Sequence, residues 1–127
     1  MGEVNFNVFT FRGKRKNCDW VYGSLIQKEG VFYIAQLDKF MGTVLFVVDE
    51  ETIGQCTGLP DKNGKMAFAG DILEIILTGG EPYRSLIAWD KRTASFHEKS
   101  GWNMNFHFSI DRRIVGRKRI VGNIYDN

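Results

Sequence analysis

A mainly β fold built from short antiparallel strands is what the sequence predicts, and three observations carry that expectation. Glycines and turn-forming residues cut the chain into strand-length pieces. The pieces are rich in Val, Ile, Phe, Tyr, Trp and Thr, whose branched or aromatic side chains suit a pleated, half-buried surface. No segment keeps apolar residues at i, i+3 and i+4 through three turns, so the crossover helices of βαβ units are missing and a sandwich or small barrel is the expected outcome.

The first predicted strand is VNFNVFTF, where Val4, Phe6, Val8 and Thr10 share one face and Asn5 and Asn7 the other. WVYGSLIQ and VFYIAQL then flank Lys28, Glu29 and Gly30 in the layout of a hairpin, with Gly30 supplying the positive φ of a tight turn. The apolar run Val44 to Val48 is too short and too β-branched for a helix and reads as a central strand. The acids that follow, beginning with Asp49 as a cap, fit one helical turn. Downstream, MAFAGDILEIILTG ends in the alternation Ile72, Glu74 and Ile76, and YRSLIAWD, ASFHE, WNMNFHFSI and RKRIVGNIYDN are each of strand length with a turn signal between them. The expected organisation is one domain over residues 1–127, in which N-terminal hairpins, about 1–49, pack on a barrel-like part, about 50–127. Short strands and a long first loop liken that second part to an SH3-type barrel.

Size and composition narrow the function classes. A chain of 127 residues hides about two thirds of its unfolded surface and needs no staples. Cys18 and Cys56 show neither CxxC spacing nor a flanking histidine pattern, which argues against a zinc ribbon or a redox motif and leaves a disulfide between them open. The opening residues run from apolar alternation into a basic stretch, the reverse of a secretory signal, and no apolar run approaches the roughly 20 residues that span a bilayer. A cytoplasmic protein without membrane contact is expected. The net charge is +2, with basic residues bunched at FRGKRK and DRRIVGRKR.

The densest block is TIGQCTGLPDKNGKMAFAGDILEI. Its aspartates and glycines invite a calcium reading at Asp61 to Gly64, but an EF-hand loop ends in a bidentate glutamate where this chain has Met66, Ala67 and Phe68. The block also lacks GxxxxGK[ST] and a following long helix, so a phosphate cradle is unsupported. The residues read better as turns: Gly58 and Gly70 at turn or bulge positions, Asn63 and Gly64 in a type I′ turn with Asp61 before them, and Asp71 bonding nearby backbone amides.

Together with FRGKRKNCDWVYGSLI and the closing IVGNIYDN, this block resembles the YopX family, small proteins encoded by phages and prophages. The family's most regular segment leads from a Thr-Ile or Thr-Val pair through GQ, TGL, an aspartate and NG to GDI, and its terminal strand ends in GNIY or GNIH. Cys56 stands where an aromatic is frequent, and Ala69 where an acid usually precedes the GD pair. The resemblance implies phage or prophage origin and a β-rich fold, and transfers no catalytic residues.

Catalytic constellations are absent from the sequence pattern. His97 and His107 sit in predicted strands beside aromatics, and either could form an acid–base pair with Glu98 or Asp111 only if the fold brought them together. Ser24, Ser85, Ser95, Ser100 and Ser109 lack a GxSxG context. No catalytic residue, metal ligand or cofactor is expected. Two functions remain: an interaction module that assembles with itself through edge strands, and a nucleic-acid-binding module. The second would use Arg112, Arg113, Arg117, Lys118 and Arg119 against phosphates and Trp102, Phe106 and Phe108 for stacking.

Overall fold

The computed structural model describes residues 6–16, 19–101, 104 and 106–126. Within them the chain is mainly β, with one short helix, and it divides into two compact units, Met1–Cys56 and Thr57–Asn127. The division falls inside a strand, later than the expected boundary at residue 49.

The first unit contains β1 (Phe11–Lys14), β2 (Trp20–Lys28), β3 (Val31–Asp38), β4 (Gly42–Val47) and most of β5 (Asp49–Pro60), paired in the order β4-β3-β2-β1-β5. The β2–β3 hairpin closes as the sequence predicts. Lys28 faces Val31, and Glu29 and Gly30 between them have φ of 52° and 79°, the two positive values of a type I′ turn. Register then sorts the side chains: Leu25, Ile34 and Phe46 stand in one row, on the face where Val21, Ile34 and Val48 form the core with Phe11, Phe32 and Ile53 around them. Gly23 lies where a Cβ would strike the Ala35 carbonyl, so β2 and β3 approach at a point only glycine allows.

Three expectations for this unit are corrected. The first strand starts at Phe11 because Asn7 folds the chain back before it: Asn7 Oδ1 accepts the Phe9 N–H at 2.8 Å and its carbonyl accepts the Thr10 N–H at 2.9 Å. Val4 and Asn5 lie outside the described residues. The Val44–Val48 run is not a central strand but β4, at the end of the pairing order among the described residues. The acids from Asp49 form no helical turn; they open β5, whose partner β1 offers Lys14 opposite Asp49.

In the second unit, Thr57–Pro60 leads through a tight loop to β6 (Met66–Phe68), and Thr57 Oγ1 donates to the Ala67 carbonyl at 2.8 Å. A five-stranded antiparallel sheet follows in the order β10-β9-β8-β7-β11, from β7 (Asp71–Ile76), β8 (Pro82–Asp90), β9 (Ser95–Ser100), β10 (Phe106–Ser109) and β11 (Arg119–Asn123). The order has two ends, β10 and β11, among the described residues. Ala67, Leu73, Ile87 and Val115 form the fully buried core, ringed by Leu59, Phe96, Ile110 and Ile120. Val115 comes from α1 (Arg112–Gly116), a helix absent from the sequence expectation because five residues are too few to display a period. The local signal was Asp111, an N-cap whose Oδ1 accepts the Ile114 N–H at 2.8 Å.

Candidate functional site

The turn block is structural throughout its described contacts. Gly58, Gly64 and Gly70 take φ of 78°, 83° and 98°, the backbone region their sequence positions suggest. Asn63 keeps a negative φ, so the loop is no type I′ turn. It is instead wound around Asp61, which is buried: Oδ1 accepts the N–H groups of Asn63 at 2.9 Å and Lys65 at 2.8 Å, and Oδ2 accepts that of Ile120 at 2.9 Å. With two oxygens committed to three amides, Asp61 acts as a knot between the loop and β11 and offers no cation site. Asp71, buried in its turn, accepts the Phe68 N–H at 2.8 Å, as the sequence reading has it.

The basic segment splits by role. Arg112 and Arg113 on α1 and Arg117 after it are exposed. Lys118 is buried and ion-paired with Glu98, with its Nζ 5.6 Å from the centre of the Tyr83 ring. Arg119 reaches back to Glu74 at 2.6 Å, on the carboxylate that Arg84 also holds at 2.9 Å. Hydrogen bonds from Arg119 and then Arg84 keep the Glu74 carboxyl below its usual range. Two of the five predicted phosphate contacts are thus already committed within the fold. Trp102 lies outside the described residues, while Phe106 and Phe108 are exposed on β10.

The histidines are brought together, and the acid they meet is Asp90 rather than Glu98 or Asp111. Register places Ala88 opposite His97 and Ser109 opposite His97, so Asp90 and His107 are diagonal neighbours of His97 on either side and on its face of the sheet. One side-chain ligand atom from each of Asp90, His97 and His107 lies within 4.8 Å of the other two. Glu98, adjacent in sequence, points to the opposite face, and Asp111 is spent as the helix cap. The signal was present only in the pairing: the turn that sets Asp90 opposite Ser95 fixes the diagonal, and no spacing rule reveals it. Cys56 is buried in β5, and Cys18 lies outside the described residues.

In the first unit the conspicuous feature is apolar surface. The face of β2, β3 and β4 opposite the core carries Ile26, Val31, Leu37, Leu45 and Val47, all exposed. At the β3–β4 turn Leu37, Phe40 and Met41 are 87%, 91% and 77% exposed. Among the described residues no helix is long and apolar enough to cross a membrane.

Comparison with curated proteins finds no match. Against protein families, the model described as YopX protein matches residues 4–127, which is nearly the whole chain and includes every strand described above. The chain belongs to the YopX family.

Proposed function

We propose that this chain is a non-enzymatic accessory protein of a phage or prophage, working in the host cytoplasm as an interaction module that pairs with a second copy of itself through β4. The observation that supports this reading is a sheet apolar on both faces whose end strand, among the described residues, has no strand paired beyond it. Val44 and Phe46 lean toward the core face, Leu45 and Val47 toward water, and from Gly42 to Val47 there is no charge and no proline. Natural edge strands are ordinarily blunted by such residues because their unpaired N–H and C=O groups accept another chain. An antiparallel β4–β4 contact is self-complementary about a two-fold axis, and it would extend the apolar outer face across both copies.

Size-exclusion chromatography with light scattering at micromolar concentration tests this. The wild-type chain is expected at a multiple of its 14.6 kDa mass. Leu45→Lys, a charge placed on the exposed face of the edge, is expected to return it to the monomer with an unchanged circular dichroism spectrum. A strictly monomeric wild-type chain overturns the reading.

A second reading has its own support in the exposed aromatics of β10 and the exposed Arg112, Arg113 and Arg117. It expects oligonucleotide binding that weakens with salt by about one power of concentration per phosphate contact, so that three contacts give a slope near −3 in log–log form. Absence of binding at low salt removes it.

A further inference from the structure

We propose that Asp90, His97 and His107 form a binding site for a divalent transition-metal ion of the zinc class, on the β8–β9–β10 part of the second sheet. The three residues come from three consecutive strands, and the donor set is two imidazole nitrogens and one carboxylate oxygen, a combination suited to zinc and its neighbours rather than to calcium or magnesium.

Geometry supports the assignment at each ligand. Three atoms no more than 4.8 Å apart have a common point within about 2.8 Å of all of them, so side-chain adjustments of under about an ångström reach zinc bond lengths of about 2.0–2.2 Å. His97 is the inner ligand. Its side chain is 9% exposed, and its Nδ1 is buried without a hydrogen-bond partner although Asp90 Oδ2 lies 3.2 Å away. A buried imidazole nitrogen beside a carboxylate it does not bond leaves a lone pair unspent, and a cation between the two would use both groups.

The other ring nitrogen is already held as metal sites require. Thr93 Oγ1 lies 3.1 Å from His97 Nε2 and 2.9 Å from Ser95 Oγ. With the threonine hydroxyl donating to Ser95, its oxygen accepts the Nε2–H, which fixes the tautomer that presents Nδ1 to the ion. Asp90 is anchored likewise: Oδ1 accepts the Arg92 N–H at 2.9 Å, leaving Oδ2 turned toward His97.

His107 is exposed, on the end strand, and closes the site from the solvent side. Three protein ligands leave at least one position for water, the arrangement of an accessible rather than a sealed metal centre. This inference is independent of the self-pairing proposed for β4, which lies in the other unit.

The test is titration of the chelator-treated, full-length protein with zinc, followed by calorimetry, and with cobalt, followed by visible absorption. One ion per chain is expected, with cobalt bands of a four- or five-coordinate N/O site. His107→Ala alters an exposed side chain, so it is expected to leave the fold intact and to abolish stoichiometric binding. Thr93→Ala removes the hydroxyl that orients His97, together with its bond to Ser95, and is expected to weaken zinc about 10- to 100-fold. Absence of stoichiometric binding by the wild-type chain overturns the proposal, as does binding that His107→Ala and Asp90→Asn leave unchanged. In either case Asp90 and His97 are an ordinary acid–imidazole pair.

Discussion

Glu98→Gln is expected to destabilise the second unit by about 3–5 kcal/mol, the cost of leaving one member of a buried ion pair without the other. Glu98 on β9 and Lys118 before β11 are both buried, and Lys118 Nζ has the Tyr83 ring beside it as its further described neighbour. An amide of the same shape keeps a hydrogen bond but not the countercharge, so the ammonium remains desolvated. The informative comparison is the double replacement Glu98→Leu with Lys118→Met. Removing both charges removes the desolvation penalty as well, so the double variant is expected to unfold at a higher urea concentration than Glu98→Gln. Equal midpoints for wild type and Glu98→Gln would show that the pair is not buried in solution.

Asp61→Ala is expected to cost about 3 kcal/mol or more, for a different reason. Three backbone amides lose their acceptor together, and a hydrogen bond to a charged group contributes about 1.5–3 kcal/mol; the loop amides of Asn63 and Lys65 recover part of this from water. Asp61→Asn separates the two ends of the knot. One side-chain oxygen can still serve the loop, but the other position becomes an N–H₂ facing the Ile120 N–H, so this variant is expected to fall between wild type and Asp61→Ala. Urea unfolding of the three proteins gives the order directly, and an unchanged midpoint for Asp61→Ala contradicts the role assigned to the residue.

Much of the fold was legible because it is encoded locally. The pair Glu29-Gly30 specifies its turn within four residues, and the alternation in VFYIAQL fixes which side chains meet the core. Local reading failed where one side chain overruled the pattern. Asn7 turns the chain where alternation predicted a strand, and Asp61 draws in the amides around Asn63, which therefore never needs a positive φ. The candidate sites were less legible, since they depend on pairing between segments. DRRIVGRKR reads as one basic patch, yet Lys118 is buried against Glu98 and the still exposed Arg119 is paired with Glu74, residues 20 and 45 positions away. His97 and His107 were visible as residues, but Asp90 joins them only through the registers of two hairpins.

The place of β11 in its sheet bears on the order of assembly. β2, β3 and β4 are joined by short turns, and the Lys28–Val31 contact closes over three positions. β11 instead returns to β7 across the 45 positions between Glu74 and Arg119. By the entropy of loop closure the longer circuit is less favourable by about 2 kcal/mol before any contact rewards it. The N-terminal meander can therefore form while β7 still lacks one neighbour, and the nascent second unit presents an open strand, rich in isoleucine, until the basic segment arrives to cover it.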